Sequence, residues 1–421
     1  MLSRFAQVFA SRVRLAPASV SVPRRASSSS PLSADFEQDY LDPAAFHDLL
    51  TREHGVEFFA GVPDSLLKNY CSYVMDTVAP SNHLIAANEG GALASAAGHY
   101  LATGHTPLVY LQNSGLGNII NPLLSLSTRH VYSLPALLLI GWRGEPGRRD
   151  EPQHNHQGKL MPGMLASMEI ASATLPDYYD GAADVLKDAF SYMRRNGEPF
   201  ALMVKKQTFA PYTQQKEQES QYSLTREDAY RVLLPLLDPF DAVVSTTGFA
   251  SREVYEIRDE GFKPGEGDHS RDFLTVGSMG HASALALGIA MAKPSRTIVC
   301  LDGDGAMGMH MGNSMAIGLR KPNNFLHVLI NNGVHDSVGS QPTGAYGLDF
   351  EKIALGLGYS VYARAEDAEG IKHAYAECKT KKGRGPAFLE IRTKPGARAD
   401  LGRPKTSPAK NRSDYMDFLR A

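Results

Sequence analysis

Short, uninterrupted apolar runs separated by helical patterns constrain the fold of this 421-residue chain more than any other feature. Continuous runs, as opposed to alternating ones, are typical of parallel strands that are buried on both faces. They predict two series of strands, at 83–87, 107–111, 136–142 and 200–204, and at 241–245, 272–276, 297–301, 325–330 and 387–391. The pattern therefore predicts an α/β chain with two doubly wound, mostly parallel sheets.

A polar segment between the two series predicts the domain organisation. Residues 207–222, QTFAPYTQQKEQESQY, lack hydrophobic periodicity and are interpreted as an interdomain linker. Thr225 with Asp228 three residues later resembles a capping box that opens the next helix. We therefore expect one domain at 35–206 and a second at 223–421. No internal sequence repeat relates them, although they can still share a fold.

The amino-terminal segment has the composition of a targeting sequence. Residues 1–34 are rich in arginine and serine and contain no acidic residue before Asp35. Their apolar residues fall near helical spacing with the arginines off that stripe, which predicts a transit peptide for import into the mitochondrial matrix. The alternative is a disordered tail of a cytoplasmic protein.

Charge and cysteine content exclude several classes of protein. The net charge is −2, which gives no sign of a nucleic-acid or membrane-surface partner. No stretch has the length and apolarity of a membrane span. Cys71, Cys300 and Cys378 are odd in number and unspaced for zinc, which indicates a reducing compartment and buried thiols. The ligand is therefore expected to be a small molecule bound at a local site.

The segment LDGDGAMGMHMGNSMAIGLRKPNNFLHVLINNGVHDS, residues 301–337, supplies that site. Asp304 and the Asn331/Asn332 pair follow two neighbouring strands, so they should reach the same edge of the sheet. A carboxylate and an amide oxygen suit Mg²⁺ that also binds phosphate oxygens. Gly303 and Gly305 allow the backbone to approach a diphosphate closely. The alternative is an ordinary turn and an unrelated loop.

This segment resembles the cofactor motif of thiamine diphosphate-dependent enzymes, in which Gly-Asp-Gly precedes Asn-Asn on the next strand. The resemblance implies that Asp304, Asn332 and the carbonyl group of Val334 ligate Mg²⁺. It also implies a set of residues that contact thiamine diphosphate: Glu89, Gly248, Ser278, Met279, Gly303, Asp304, Gly305, Ala306 and Asn332.

Two of these residues have defined roles in the resembled enzymes. Glu89, which ends the run HLIAANE before GGALASAAGHYLATG, would share a proton with the pyrimidine ring of the cofactor as a catalytic residue. Met279, in VGSMGHASALALG, would be the apolar residue that holds the cofactor bent. The cofactor itself carries the difficult chemistry. The alternatives are a helix-capping carboxylate and an ordinary core methionine.

Within these enzymes the chain resembles the compact decarboxylases, because the linker leaves no room for a middle domain. Five segments resemble the phosphonopyruvate decarboxylase family: GVPDSLLKN, QNSGLGNIINPLLSL, GEPGRRDEPQHNHQG, RDFLTVGSMGHAS and KPGARADLGRPKTSP. The resemblance covers nearly all of 35–419, although Asn331, His335 and Ser340 depart from the family pattern. It implies decarboxylation of 3-phosphonopyruvate to phosphonoacetaldehyde and CO₂. A sulfopyruvate or other 2-oxo acid decarboxylase, or an acetolactate-type carboligase, would share the same cofactor site.

The matched segments also suggest residues that act on the substrate. Asp64 and His154 lie in loops at the expected sheet edge and are candidate catalytic residues that position and protonate the reacting group. Their alternatives are a helix cap and a structural hydrogen bond. Arg398 and Arg403 are candidates for binding a phosphonate, because guanidinium groups match its geometry, although a solvated basic tail is the alternative.

The resemblance further implies a homodimer or higher homo-oligomer with shared active sites. In the resembled family the cofactor lies between the pyrimidine-binding domain of one subunit and the diphosphate-binding domain of its partner. Two other classes are disfavoured. A nicotinamide-dependent oxidoreductase would carry a Gly-x-Gly-x-x-Gly motif after an early strand. A thiamine-binding module without catalysis would lack the glutamate, and Glu89 is present.

Overall fold

The computed structural model of the chain describes residues 40–216, 218–263, 265–381 and 383–421. The predicted transit peptide lies outside the described residues, and so do residues 35–39. The described residues pack as a single structural unit that contains two six-stranded sheets and one two-stranded ribbon. In the described part of the chain no helix is both long and apolar enough to cross a membrane.

The first half of this unit alternates strands and helices. Its strands are β1 (Phe59–Gly61), β2 (His83–Ile85), β3 (Leu108–Gln112), β4 (Leu137–Gly141), β5 (Ala171–Thr174) and β6 (Phe200–Val204). Its helices are α1 (Pro43–Asp48), α2 (Lys68–Thr77), α3 (Glu89–Thr103), α4 (Leu116–Pro122), α5 (Pro152–Ser167) and α6 (Tyr179–Asn196). All six strands are parallel, in the order β2-β1-β3-β4-β6-β5.

The second half repeats this architecture. Its sheet contains β7 (Ala242–Ser245), β8 (Asp272–Leu274), β9 (Ile298–Gly303), β10 (Phe325–Asn331), β13 (Val361–Ala365) and β14 (Ala387–Arg392), and β11 (Val334–His335) pairs with β12 (Gln341–Pro342) in a small ribbon. Its helices are α7 (Arg226–Leu233), α8 (Phe249–Arg258), α9 (Ala282–Ala292), α10 (Asp304–Met309), α11 (Asn313–Arg320), α12 (Phe350–Leu357), α13 (Ala368–Thr380) and α14 (Pro408–Arg420).

The two halves share one topology although their sequences do not repeat. The second sheet has the order β8-β7-β9-β10-β14-β13, which is the order of the first sheet when its strands are renumbered. Apolar clusters cover both faces of each sheet, as expected for parallel strands. The predicted fold class, two doubly wound parallel-sheet domains, is confirmed.

Three strands of the two six-stranded sheets were missed by the sequence prediction, as were the two-residue strands β11 and β12 of the ribbon. β1 is only three residues long. β5 and β13 lie at the edges of their sheets, where alternate side chains are partly exposed and no continuous apolar run forms. The connection between β9 and β10 contains two helices, α10 and α11, with an interruption at 310–312.

In the described parts of the predicted linker, 207–216 and 218–222, there is no helix, and the one strand-like contact is a parallel bridge between Phe209 and Leu41. Phe209 is buried against Phe46 and Tyr70 in the first core, so part of this segment packs on the first half. The capping box at Thr225 and Asp228 is present and opens α7 as predicted. The exact domain boundaries at 206 and 223 stay a prediction.

Candidate active site

Asp304 lies at the carboxyl end of β9, directly after Gly303, and its side chain is buried. Its Oδ2 atom accepts hydrogen bonds from the backbone N–H of Gly333 at 2.9 Å and from the hydroxyl of Thr343 at 2.7 Å. Burial raises the pKa of this carboxyl to about 6, and the hydrogen bonds oppose that rise. The site therefore presents a desolvated carboxylate that a cation would stabilise.

Asn332 lies at the end of the neighbouring strand β10, as the spacing predicted. Its Nδ2 atom donates to Oδ2 of Asp336 at 2.7 Å, while its Oδ1 atom accepts from the N–H of Val334 at a longer 3.3 Å. Asp336 is in turn 2.9 Å from a guanidinium nitrogen of Arg226. The amide nitrogen of Asn332 is thus occupied, and its oxygen is the atom available to a metal.

The donor set around Asp304 and Asn332 fits the predicted metal and diphosphate. Carboxylate and amide oxygens are ligands that Mg²⁺ prefers. A Cβ atom built on Gly305 would lie 2.6 Å from Cε1 of His335, so a side chain at this position would clash with the imidazole. Gly248, at the start of α8, has a φ of 89°, a conformation that favours glycine. The glycines therefore keep the backbone open where a diphosphate is predicted.

The remaining predicted cofactor contacts lie near the same edge. Ser278 has a φ of 52° and Met279 is partly buried, in the loop between β8 and α9. The N–H of Gly277 donates to the hydroxyl of Thr247 at 2.9 Å, which ties this loop to the start of α8. Ala306 is buried in α10. The roles assigned to these residues stay predictions.

A second set of metal-type side chains lies deeper in the same sheet. Cys300, Asp302 and His327 are buried, and their possible ligand atoms lie within 4.8 Å of one another. Nδ1 of His327 is 2.7 Å from the hydroxyl of Tyr359, and Nε2 is 3.4 Å from Oδ2 of Asp302. Both ring nitrogens are therefore engaged within the protein. Thiolate and imidazole donors also suit softer metals than Mg²⁺, so this group is not the predicted magnesium site.

In the first half, Glu89 begins α3 and its side chain is buried. The amide of Asn118 donates to its Oε2 atom at 2.7 Å, and Gly115 lies so close that a Cβ there would clash with the carboxylate. Burial raises the pKa of Glu89, although the bond from Asn118 opposes the rise. Burial therefore makes this carboxyl easier to protonate than an exposed glutamate, which suits a proton-sharing role.

Asp64 lies after β1 and is fully buried. Its Oδ1 atom accepts from the amide of Gln112 at 2.6 Å, and its Oδ2 atom accepts from the N–H of Leu66 at 2.9 Å. Burial raises the pKa of this carboxyl, while Gln112 and, more weakly, the charge of Arg143 lower it. The contact with Leu66 shows a local capping role, so the catalytic role of Asp64 stays a prediction.

His154, in the first turn of α5, is oriented by Asp150. Nδ1 of His154 is 3.2 Å from Oδ1 of Asp150, and Arg143 holds the same carboxylate through two nitrogens at 2.8 and 2.5 Å. Burial and then the charge of Arg143 lower the pKa of His154, while Asp150 raises it. The hydroxyl of Ser65, next to Asp64, accepts from Arg143 at 2.8 Å. Asp64 and His154 thus belong to one network.

The carboxyl edges of the two sheets face each other within this chain. The amide of Asn88, next to Glu89, donates to the carbonyl of Met309 in α10 at 3.3 Å. A Cβ atom on Gly277 would lie 3.1 Å from Cγ of Gln153. The structure therefore places Asn88, beside Glu89, against α10, and Gln153, beside His154, against the loop that precedes α9. Whether two chains share these faces, as the resemblance implies, stays a prediction.

The two arginines proposed for the substrate have different surroundings. Arg398 is surrounded by three carboxylates, those of Glu227, Glu256 and Asp400. Nε of Arg403 is 2.6 Å from Oε1 of Glu151, three residues before His154. The structure therefore places Arg403 beside the facing edges and leaves Arg398 in an acidic cluster.

Several residues of the site were not identified from the sequence. Asn118, Gln112 and Asp150 lie within segments that matched the resembled family, so those segments were the available signal. Thr343 and Asp336 follow the Asn-Asn pair in a loop with no periodic pattern. Their contacts with Asp304 and Asn332 depend on how that loop folds back, which the linear spacing does not show.

The comparison with known families defines the class of protein. Residues 44–164 match the thiamine pyrophosphate enzyme N-terminal TPP binding domain, and residues 264–391 match the C-terminal TPP binding domain. The fold and the two facing edges are thus those of a thiamine diphosphate-dependent enzyme.

Curated relatives define the family. Phosphonopyruvate decarboxylase from Streptomyces hygroscopicus is 33% identical over 382 residues, which are 86% of this chain and 90% of the relative. The corresponding enzyme from Streptomyces viridochromogenes is 32% identical over 87% of this chain and 92% of its own. A sulfopyruvate decarboxylase from Methanosarcina acetivorans is 27% identical over 79% and 87%. The chain belongs to the phosphonopyruvate decarboxylase family and is a thiamine diphosphate-dependent decarboxylase of the phosphonopyruvate or sulfopyruvate type.

Proposed function

We propose that this enzyme converts 3-phosphonopyruvate to phosphonoacetaldehyde and CO₂ with thiamine diphosphate and Mg²⁺. The observation that carries the proposal is the contact of Asn88, the neighbour of Glu89, with the carbonyl of Met309, the last residue of the helix that Asp304 opens. The two curated phosphonopyruvate decarboxylases also match at higher identity than the sulfopyruvate decarboxylase.

Each half of the chain contributes different groups to this chemistry. Asp304, Asn332 and the carbonyl of Val334 would hold Mg²⁺, which binds the diphosphate. Bound thiamine diphosphate supplies the electron sink that decarboxylation of a 2-oxo acid requires. The buried carboxyl of Glu89 would share a proton with the pyrimidine ring of the cofactor.

The network of Asp64 and His154 would act on the substrate. His154 is kept near Asp150 by a charge-assisted contact, and its lowered pKa favours a neutral imidazole near pH 7. A neutral ring can accept or donate a proton, depending on its tautomer. Asp64, buried beside Gln112, would orient the reacting carboxylate or donate the proton that replaces CO₂.

The decisive experiment measures CO₂ release from a panel of 2-oxo acids. Purified protein with thiamine diphosphate and Mg²⁺ would be supplied with phosphonopyruvate, sulfopyruvate, phenylpyruvate and pyruvate, and the aldehyde products identified. We expect the highest kcat/KM with phosphonopyruvate and loss of activity when Mg²⁺ is chelated. A higher kcat/KM with sulfopyruvate would show that sulfopyruvate is the substrate. Formation of acetolactate from pyruvate would show that the enzyme is an acetolactate-type carboligase.

We also propose a homodimer or higher homo-oligomer with shared sites. Sulfopyruvate decarboxylase subunits α and β of Methanocaldococcus jannaschii match 36% and 32% of this chain as separate proteins. Related sequences therefore occur without the covalent linker. The same contacts made between two copies of this chain would give two symmetric sites.

The mitochondrial location is a separate proposal that rests on residues 1–34. Fusing this segment to a fluorescent reporter should direct the reporter to mitochondria. A matched fusion in which Arg4, Arg12 and Arg14 are replaced by alanine should remain in the cytoplasm, because import requires the positive face. A cytoplasmic reporter in both cases would favour the cytoplasmic alternative.

A further inference from the structure

Two arginines beside the facing edges share one carboxylate oxygen. Nη2 of Arg252, in α8, is 3.0 Å from Oε1 of Glu151, and Nε of Arg403 is 2.6 Å from the same atom. Among the described residues, no other hydrogen bond or ion pair involves either guanidinium. Each group therefore keeps several N–H donors for another acceptor.

This arginine pair lies next to the predicted site of catalysis. Glu151 precedes α5 and lies three residues before His154, while Arg252 lies four residues after Gly248 in α8. Gln153 contacts Gly277, which is adjacent to Ser278 in the predicted cofactor loop. The three elements that carry Glu151, Arg252 and Arg403 therefore meet where the two sheet edges face each other.

The local charge balance favours an anion. Among the described residues, three guanidinium groups, those of Arg143, Arg252 and Arg403, form ion pairs here with two carboxylates, those of Asp150 and Glu151. The carboxyl of Asp64 also acts on Arg143, but burial raises its pKa. Burial lowers the pKa of Arg252; the charge of Glu151 opposes this, and the charges of Arg403 and Arg143 add to it more weakly. Desolvation of the positive charge makes an incoming anion more favourable.

The pair is also reachable from solvent. The side chain of Arg252 is 24% exposed and that of Arg403 is 54% exposed. Arg398, by contrast, is compensated by three carboxylates.

We propose that Arg252 and Arg403 form the subsite that binds the tetrahedral oxyanion carried by C3 of the 2-oxo acid substrate. Guanidinium groups donate paired N–H bonds to such an oxyanion, and two of them from different elements can engage separate oxygens. Glu151 holds the two guanidinium groups on either side of its carboxylate, and this carboxylate competes with the substrate anion for their N–H donors. This subsite rests on the proposed function and names its specificity residues.

The first test uses probes that cannot react. Calorimetry would measure binding of methylphosphonate and of methanesulfonate to the enzyme loaded with thiamine diphosphate and Mg²⁺. We expect Arg252→Gln and Arg403→Gln each to weaken binding by on the order of 10- to 100-fold, as expected for loss of hydrogen bonds to a charged group. Arg412→Gln, which removes an exposed positive charge on α14, should leave binding unchanged.

A variant with the opposite expected effect excludes a purely structural role. Glu151→Gln removes the competing charge, so methylphosphonate should bind several-fold more tightly. Affinity for thiamine diphosphate should stay within about twofold in every variant if the cofactor site is intact. Unchanged or weaker probe binding in Glu151→Gln, with the cofactor bound normally, would overturn the proposal.

The second test separates this subsite from the proposed function. With phosphonopyruvate as substrate, Arg252→Gln and Arg403→Gln should raise KM by about the same factor by which they weaken methylphosphonate binding. Pyruvate lacks the oxyanion, so its kcat/KM should change little in these variants. Arginine-dependent probe binding without phosphonopyruvate turnover would support the subsite and reject the proposed function. Normal KM for phosphonopyruvate in the double variant would reject the subsite and leave the function standing. Binding of methanesulfonate alone would keep the subsite and assign a sulfonate substrate.

Should a glutamine variant fail to fold, Arg252→Lys and Arg403→Lys keep the charge but lose the paired geometry. They should bind methylphosphonate more weakly than the wild type, because a lysine presents a single ammonium group in place of a fork. Wild-type affinity in both lysine variants would show that the guanidinium geometry is not used.

Discussion

The side-chain amide of Asn332 donates to the carboxylate of Asp336 at 2.7 Å, and this bond decides which end of the amide is left for a metal. A guanidinium nitrogen of Arg226 also donates to this carboxylate oxygen, at 2.9 Å. An ionised carboxylate can only accept hydrogen bonds, so the amide nitrogen must face it. Asp336 therefore orients the predicted metal ligand without touching the metal.

Replacing Asp336 by alanine should weaken Mg²⁺ binding by on the order of 10- to 100-fold, as is typical for partners of metal ligands. Calorimetry in the presence of thiamine diphosphate would measure the affinity. Asp272→Asn is the matched control, because Asp272 is another buried carboxylate held by an arginine, Arg258, and has no contact with Asn332. Equal losses in both variants would mean that the effect is only a loss of stability.

A reciprocal exchange tests the orientation itself. In Asn332→Asp alone, two carboxylates would face each other and repel. In the double variant Asn332→Asp with Asp336→Asn, the donor and acceptor are exchanged and an oxygen still faces the metal. We expect the double variant to bind Mg²⁺ more tightly than Asn332→Asp alone. Additive losses would show that Asp336 does not orient residue 332.

Thr343 should strengthen Mg²⁺ binding through its hydrogen bond to the carboxylate of Asp304. Its hydroxyl donates to Asp304 at 2.7 Å, so Thr343→Val removes one hydrogen bond while keeping the size of the side chain. Loss of about 1 kcal/mol corresponds to roughly fivefold weaker Mg²⁺ binding. Thr343→Ser keeps the hydroxyl and should bind Mg²⁺ nearly as well as the wild type. Equal affinity in the valine and serine variants would contradict this role.

Glu89→Gln should bind thiamine diphosphate but lose most activity, because an amide cannot share the proton of the carboxyl. Binding measured by calorimetry, together with turnover of the substrate from the panel, separates the two effects. Wild-type turnover in Glu89→Gln would show that the carboxyl of Glu89 is not needed for catalysis.

The same variant makes a prediction about stability without cofactor. Burial raises the folded pKa of Glu89 above its ordinary value of 4.5, so the stabilisation linked to the bound proton is lost as pH rises through the folded pKa. Glutamine does not titrate. The free energy of unfolding of Glu89→Gln relative to the wild type should therefore rise from pH 4 to pH 8. Urea titrations at both pH values would measure it, and a difference that does not change with pH would contradict the raised pKa.

Mixing inactive subunits tests the shared-site proposal. If sites are shared, each site takes Glu89 from one chain and Asp304 from the other. A heterodimer of Glu89→Gln and Asp304→Ala then has one site with both substitutions and one site with neither. We expect activity to return after the two variants are unfolded and refolded together. A tandem-affinity tag would confirm that mixed dimers form. Mixed dimers without activity would show that Glu89 and Asp304 act within one chain, where the structure brings their elements together.

The sequence by itself determined the fold class and the outline of the cofactor site. Continuous apolar runs are a local property of strands buried on both faces, so most strands of both sheets could be predicted from them. Asp304 and Asn332 directly follow two such strands, and parallel strands bring their carboxyl ends to one edge. The spacing therefore sufficed to predict that they lie together, as the structure shows.

Tertiary structure decided the features that depend on contacts distant in sequence. The edge strands β5 and β13 lack a continuous apolar run because one side of each is partly exposed. Thr343 reaches Asp304, and Glu151 joins Arg252 to Arg403, only because loops fold back across the sheet edges. Such contacts leave no periodic pattern in the sequence. A single polar residue in a loop looks the same whether its side chain makes such a contact or faces solvent. Hence Arg398 and Arg403 look alike in the sequence. Only the structure shows that Arg398 lies among three carboxylates, whereas Arg403 contacts Glu151.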